Sequence, residues 1–436
     1  VRSADRATPT IDGHRPPVEP WPAVLHIGVE RQPVVNYVYD DYTASYDSPS
    51  HAFTYDDRQA WPFDRQDLWC QFHGLTITAG MTGPDGPVES THVQLSLDNR
   101  DGALSQYDAA GRLVDWGPGS ALDVWAVLDG ADWWLFSGEV SAWRELADGT
   151  VEVEAFDAFS QLNQQGPQWN PGNYDDTVGQ RLDKILATVA YAGPTRWDTG
   201  TVHLHSYLTN ASPLEEMHAV TASDGGLLLI DADGTLVYRN RTWPAGRIDQ
   251  VSIPALSDNY CAVPFVVWDA ELTTDDDVIV NRATLTNVAR ETVTSTNQAS
   301  IDRYGPQTLE RTNDQWIGVA AGQALADYVV TRRGDGYLRL DGFVLHLNDR
   351  RQDLWALGID RRIGDQLTWY HEQPTTTGVN LVVLTLVVAA ITHEITPESW
   401  VVSLRTSRAV GNVVALRYDR TPFNYDDADP RVIYVL

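Results

Sequence analysis

The side chains able to do chemistry in this chain are few and widely spaced. Cys70 and His73 place a thiol three residues from an imidazole. A thiol nucleophile takes its base from elsewhere in space, so the pair reads as a core cysteine beside a loop histidine. His203 and His205 would share one face of a strand, as paired metal ligands do. No third ligand stands nearby, and an exposed strand face is the simpler reading. Asp231-x-Asp233-Gly234 matches the opening of a calcium loop, but Thr242 stands where the twelfth-position glutamate is needed. Apolar residues on both sides make it a hairpin turn. Asp275-Asp276-Asp277 could hold a cation, and reads more simply as a solvated charge run before a strand. Tyr-Asp-Asp occurs at 39–41, 55–57, 174–176 and 425–427. Polymerase carboxylates sit in a strand-turn-strand setting, whereas two of these copies fall in a proline-rich stretch. They read as Asp-rich turns with aromatic anchors. There is no glycine-rich phosphate loop, no G-x-S-x-G elbow and no H-E-x-x-H helix. No catalytic, cofactor-binding or metal-binding residue is selected, and no enzyme activity is expected.

The composition narrows the classes further. The 436 residues carry 60 acidic and 31 basic side chains, a formal net charge of −29. Of the bases, only Lys184 is lysine, which fits a GC-rich coding bias. Such a charge balance argues against gripping nucleic acid or an anionic membrane, since both need clustered cations. It leaves open a secreted carbohydrate-active enzyme or sugar-binding module, because 60 carboxylates contain many possible glycosidase pairs and 16 tryptophans many possible sugar platforms. Nothing selects a pair. Trp125, Trp133, Trp134 and Trp369 fall within strand patterns, where core or interface packing is the simpler role. Cys70 and Cys261 can form at most one bridge and read more simply as unpaired core thiols. The first residues lack the apolar core of a secretory signal. The apolar stretch 379–391 is β-branched and too short to span a bilayer as a helix, so it is expected to be a buried strand of a soluble protein.

The elements that would position these residues are mostly strands. Residues 1–60 are rich in proline and read as an extended arm with one strand at Ala23–Val29. From 61 to 166 the apolar residues alternate: Val93, Leu95 and Leu97; then Leu122, Val124 and Ala126; Trp134 and Phe136; Val151 and Val153. This pattern predicts a first β-barrel or sandwich domain. The period then changes. Thr177 to Gln180 forms a capping box before Val178, Leu182, Ile185, Leu186 and Val189. Ser212, Pro213 and Glu215 start a second helix, which Asp224-Gly225-Gly226 stops, and a hairpin at 227–239 completes a small α/β domain at 167–256. Strands return at 257–415, with an apolar face at Leu340, Phe343 and Leu345. One helix there has its stripe at Trp316, Val319, Ala320, Gln323, Ala324 and Tyr328, and ends at Arg332-Arg333-Gly334. Residues 416–436 read as an extended tail. The fold class is therefore mainly β, a β-rich α+β chain.

One pattern occurs twice. Gly119-Ser120-Ala121-Leu122 leads into a strand, an apolar partner through Ser137-Gly138-Glu139, and an alternating strand at 151–154. Gly364-Asp365-Gln366-Leu367 leads into the same series through Ile391-Thr392-His393 and a last strand at 400–404. We read this as internal duplication of one β domain.

The order of these segments over roughly 60–410 resembles the tail-hub, or baseplate-hub, proteins of long-tailed bacteriophages, in particular minor tail proteins of actinobacterial phages. The resemblance is carried by Leu95-Ser96-Leu97-Asp98-Asn99, by Trp134 to Val140, by Val153-Glu154-Ala155-Phe156-Asp157, by Asp224-Gly225-Gly226-Leu227, by Asp233-Gly234-Thr235-Leu236, by Asn281-Arg282-Ala283-Thr284-Leu285, by Ser300 to Gly305 and by Ile391 to Trp400. It implies two tail-tube-like β-barrel domains flanking the α/β domain, and a homotrimeric structural hub of the tail tip in the virion. The implied partners are a distal tail protein ring, the C-terminus of the tape measure protein, and downstream minor tail proteins or a central fibre. DNA would pass through the lumen without specific binding, past a net acidic surface. A hexameric distal tail ring protein is the alternative within the same virion. The arm 1–60 and tail 416–436 are expected to strap onto neighbours, and no lysin or receptor-binding module is expected within these residues.

Overall fold

The computed structural model describes residues 23–29, 66–67, 72–83, 86–102, 104–105, 117–128, 131–163, 170, 172–242, 255–257, 265–266, 268–274, 279–334, 338–347, 355, 358–375, 378–408 and 414–418. Cys70, Cys261, Asp275, Asp276 and Asp277 lie outside these, as do the Tyr-Asp-Asp copies at 39–41, 55–57 and 425–427.

The chain is mainly β, with a fifteen-stranded sheet, three small sheets and short helices among the described residues. The N-terminal part of the large sheet comprises β1 (Ala23–Val29), β2 (Gln66–Asp67), β3 (Phe72–Gly80), β4 (His92–Asp98), β5 (Ala121–Leu128), β6 (Ala131–Glu145) and β7 (Thr150–Phe156). Its strands pair in the order β3-β4-β7-β6-β5, all antiparallel, with β1 beyond β5. Alternation places Val93, Leu95 and Leu97, and likewise Val151 and Val153, on the buried face, while their neighbours point outward. The alternation breaks at a bulge on β6. Leu135 and Phe136 are both buried, because the β5–β6 pairing shifts between Val124 and Trp125 and Leu135 is the extra residue of a bulge. Trp125 and Trp134, half-buried, lie 5.8 Å apart on the strands flanking it.

A short helix α1 (Phe159–Leu162) leads into the α/β unit. It contains β8 (Asp176–Thr177), α2 (Val178–Thr188), β9 (Thr195–Trp197), β10 (His203–Leu204), α3 (Pro213–Asp224), β11 (Leu227–Ile230) and β12 (Leu236–Arg239). Both capping boxes read from the sequence are formed, Thr177 with Gln180 and Ser212 with Glu215, and Pro213 occupies the first turn of α3. Gly225 ends α3 at φ +70°, a conformation that costs an L side chain about 1–2 kcal/mol.

Further strands follow: β13 (Ala255–Ser257), β14 (Phe265–Val266), β15 (Trp268–Thr274), β16 (Arg282–Asn287) and β17 (Thr292–Thr296). Then come α4 (Gln298–Tyr304), β18 (Thr308–Asp314) and α5 (Val319–Arg333), followed by β19 (Leu338–His346), β20 (Gln366–Thr375), β21 (Gly378–Ile395), β22 (Trp400–Arg408) and β23 (Val414–Tyr418). The apolar stretch 379–391 is indeed strand, within β21. Leu340, Phe343 and Leu345 are buried as expected. Their broken spacing has a cause, since the pairing with β15 shifts register between Leu272 and Glu271, which oppose Leu340 and Gly342. The stripe read for α5 is corrected. Its buried residues are Gly322, Leu325, Ala326 and Val330, whereas Val319 is 54% exposed. Trp316 precedes the helix and does not set its phase. Instead the helix backbone rests on the Trp316 ring at Gly322, where an added Cβ would lie 2.6 Å from ring carbons. Helix α4, capped by Asn297, was not anticipated.

The pairing order β15-β19-β22-β21-β20, again antiparallel throughout, reproduces that of β3-β4-β7-β6-β5 strand for strand. The correspondence extends to single hydrogen bonds. Gly119 N–H donates to Val140 O and Val140 N–H to Ser120 O, both at 2.8 Å. Gly364 N–H donates to Val388 O at 2.8 Å, and Val388 N–H to Asp365 O at 2.9 Å. The middle strand carries a bulge at the same place in both units, between Val140 and Ala142 and between Val388 and Ala390. The two glycines have φ of +89° and +88°. Residues between β15 and β19 are an insertion, and most of their apolar side chains pack elsewhere.

Two cores result. One is shared by both five-stranded units and runs from Ile27, Leu75 and Val93 to Trp369, Val402 and Leu404. The other joins the α/β unit, through Leu182, Ile185, Met217 and Tyr238, to the insertion, through Ala283, Leu285, Trp316 and Leu325. Among the described residues no helix is long and apolar enough to cross a membrane.

Because φ near +88° disfavours any Cβ, Gly119→Ala and Gly364→Ala should each lower stability by about 1–2 kcal/mol in urea unfolding. A tolerated alanine at both would deny these turns their matching role.

Candidate functional site

The residues singled out in the sequence do not converge. His203 is exposed on β10, with Nδ1 3.2 Å from Asp175 Oδ1. The ring of His205 packs edge-on against Tyr174, with centroids 5.5 Å apart. Among the described residues no group of three His, Cys, Asp or Glu side chains is arranged to hold a metal. His73 Nε2 lies 3.8 Å from Asp98 Oδ2, at the surface. Asp231-Ala232-Asp233-Gly234 is the turn of the β11–β12 hairpin: Gly234 N–H donates to Asp231 O at 2.8 Å and Thr235 N–H to Asp233 Oδ1 at 2.9 Å. Trp369 is fully buried, and Trp133 packs against the first core.

The polar side chains that do converge were not foreseen. Arg181, one turn into α2, is completely buried. Its Nε donates to Asp176 Oδ2 at 3.2 Å, Nη1 to Gln315 Oε1 at 3.2 Å, and Nη2 to the carbonyls of Asn173 and His205 at 2.7 and 2.9 Å. Asp176 also accepts from the Lys184 ammonium at 2.6 Å and from the Asn173 amide at 2.7 Å. Burial alone would raise the Asp176 carboxyl, but the hydrogen bonds from Lys184, Asn173 and Arg181 outweigh it and hold it below the usual range. The chain's one lysine and one copy of Tyr-Asp-Asp thus meet at a buried guanidinium.

Gln315 extends the network into α3. Its Nε2 donates to Glu216 Oε1 at 2.8 Å and to Tyr207 Oη at 2.5 Å, and its backbone N–H donates to Ser223 Oγ at 2.8 Å. The Tyr207 hydroxyl also donates to Glu216. Glu216 is 1% exposed, and burial raises its carboxyl above the ordinary range despite these donors. Beyond Gln315, Asp314 accepts from Arg311 at 3.0 Å and from Trp316 Nε1 at 3.3 Å, and Asn287 Nδ2 donates to Trp316 O at 3.0 Å.

This is a brace. A carboxyl with a raised pKa beside a tyrosine has the composition of an acid–base pair, but with Arg181 and Gln315 at 0% exposure no substrate reaches it. Its donors and acceptors are spent on one another. The effect is to tie α2, α3 and the approach to α5 together across 134 residues of sequence, from Arg181 to Gln315. Removing one partner of such a cluster strands the others and costs about 3–5 kcal/mol. One sequence signal pointed to it. Arg181 sits between Val178 and Leu182 on the apolar stripe of α2, a charge where the helical period calls for burial.

No protein-family model matches the sequence, and no curated protein matches it. The fold does match solved structures. The tail protein from Neisseria meningitidis MC58 superposes with a TM-score of 0.54, covering 88% of this chain and 96% of that one at 12% identity. The 43 kDa tail protein of prophage MuSo2 from Shewanella oneidensis gives a TM-score of 0.48, covering 77% and 94% at 14% identity. The likeness to the Neisseria protein is one of fold.

The buried carboxyl supplies a direct check on the brace. The folded state holds the Glu216 proton more tightly than the unfolded chain, whose glutamate titrates near 4.5. Its contribution is therefore complete below that value and is lost as pH rises through the elevated folded pKa. Glu216→Gln keeps the acceptor and removes the charge. Its stability relative to the parent should rise between pH 4 and pH 7.5 in urea titrations, and a difference independent of pH would contradict the burial of an ionisable group here.

Proposed function

We propose that this chain is a structural protein of a bacteriophage tail, the trimeric hub of a tail tip that adapts a sixfold tube to a threefold tip. The observation that carries this reading is the fold shared with the Neisseria tail protein over 96% of that chain. The ordered motifs of the sequence and its arginine-rich coding bias support the narrower placement among tail hubs of phages with GC-rich hosts.

The duplication supports the adaptor role. Among the described residues the strands of the two units pair at one seam, where β21 of the second unit runs beside β3 of the first, from Ala390 opposite Gly80 to Ile395 opposite Leu75. Under the strand-for-strand correspondence, the equivalents of β21 and β3 are β6 and β15. Among the described residues β6 pairs only with β5 and β7, and β15 only with β19. Pairing β6 of one copy with β15 of the next repeats the seam between chains. Three copies then close a ring of six similar units, a heterologous interface whose rotation closes. A ring of this kind offers six equivalent contacts to a distal tail ring on one side and three to the tip proteins on the other. The tape measure protein's C-terminus and the passing DNA would occupy its lumen. The excess of 60 acidic over 31 basic residues suits a channel that repels phosphates. The role is structural, located in the virion, and no catalytic step is assigned to it.

Native mass measurement of the purified protein tests the assembly. The expected species is three times the 48.4 kDa chain. A hexamer would favour a distal ring protein instead, and a monomer at every concentration would contradict both.

A further inference from the structure

Where the end of α3, β11, β12, β18 and α5 meet the large sheet, they leave a cavity of about 480 Å³. Five of the chain's 31 basic residues line it: Arg239, Arg241, Arg311, Arg332 and Arg333. Among the described residues no Asp or Glu lines it, in a chain with a net charge of −29. His218 also lines it, and burial pushes its imidazole down to about 4, so that ring is neutral at physiological pH.

Three of these arginines serve the fold. Arg239 lies 3.5 Å from Asp198, Arg311 is paired with Asp314, and Arg332 donates to Tyr328 Oη at 3.0 Å. Arg241, in the turn just after β12, differs: its Nη1 is buried without a hydrogen-bond partner. A buried donor left unmade is costly, and more so when it is charged. On the other side Leu309 of β18, Leu325 and Val329 of α5 and Val387 of β21 form an apolar wall.

A concave site with one sign of charge focuses its field, and guanidinium groups take carboxylates or phosphates in paired hydrogen bonds. A bare inorganic ion would meet Arg241 and leave the wall wet. A purely apolar molecule would cover the wall and leave the guanidinium unmet. Both are satisfied by a molecule with an oxyanion at one end and an aliphatic or aromatic body behind it. A cavity of this volume is of the size that takes small molecules.

We propose that this cavity binds a small organic anion, its carboxylate or phosphate held by the arginines around Arg241 and its apolar body against Leu309, Leu325, Val329 and Val387. The site is independent of the assembly argued above, since one chain supplies all of these residues.

Isothermal titration calorimetry of the full-length protein with decanoate, decyl phosphate, acetate, inorganic phosphate and decanol tests it. Decanoate or decyl phosphate should bind at least tenfold more tightly than the other three, and the tighter of the two identifies the oxyanion. Arg241→Gln should weaken that binding at least tenfold. Arg144→Gln, at an exposed arginine paired with Glu154, should leave it unchanged. Without ligand, Arg241→Gln should melt no lower than the parent, because the guanidinium it removes leaves a buried donor unmet. Decanol matching decanoate, or inorganic phosphate matching decyl phosphate, would overturn the proposal, as would no binding of either amphipathic anion. An affinity indifferent to Arg241 would overturn it too, and so would a clear fall in the melting temperature of Arg241→Gln, which would make Arg241 part of the scaffold.

Discussion

Six residue pairs between β21 and β3 hold the two halves of the large sheet in one register. Everything else in the first core follows from that seam. Ile391 and Ile395 of β21 and Leu75 and Ile77 of β3 turn into a single apolar interior, while Thr392 and Glu394 of β21 and Thr76 of β3 point the other way. A slip of one residue would put every one of these side chains on the wrong face. The seam also fixes His393, whose burial pushes the imidazole down to about 3, so that it stays neutral and accepts from Trp400 Nε1 at 3.2 Å. A polar side chain in the interior is thereby satisfied by a second strand of the same unit.

The second core is held by different means. Its apolar residues come from two stretches far apart in sequence, and hydrophobic burial alone is indifferent to how they are oriented. Arg181 and Gln315 supply the direction, because a guanidinium with four fitted acceptors has one arrangement. The insertion between β15 and β19 is thus fastened to the α/β unit, while the five-stranded unit it interrupts keeps the same pairing order as its partner.

Much of this could be read from the sequence, and the parts that could not share a cause. The strands at 93–97 and 151–153, and both capping boxes, depend on contacts within a few residues, and spacing alone exposes them. The repeat was visible through Gly119 and Gly364, which a turn at positive φ demands twice. Bulges at Leu135 and near Asp341 were invisible, because they are decided by register with a neighbouring strand. The phase of α5 was misjudged because Trp316, the largest apolar side chain near it, lies outside the helix and packs beneath Gly322. The brace was invisible for the same reason. Tyr174-Asp175-Asp176 read as a turn, and it is one, yet the role of Asp176 is set by Arg181, Lys184 and, at one remove, a glutamine 139 residues away.

The account rests on the two five-stranded units being interchangeable at their edges, so that the seam inside one chain can be repeated between chains. End-on views of the assembled protein by electron cryomicroscopy test this most directly. The account expects a closed ring of three chains with six similarly spaced lobes, strong in the sixfold harmonic and weaker in the threefold. A ring with three lobes, or one in which the two units of a chain lie at different radii, would contradict it.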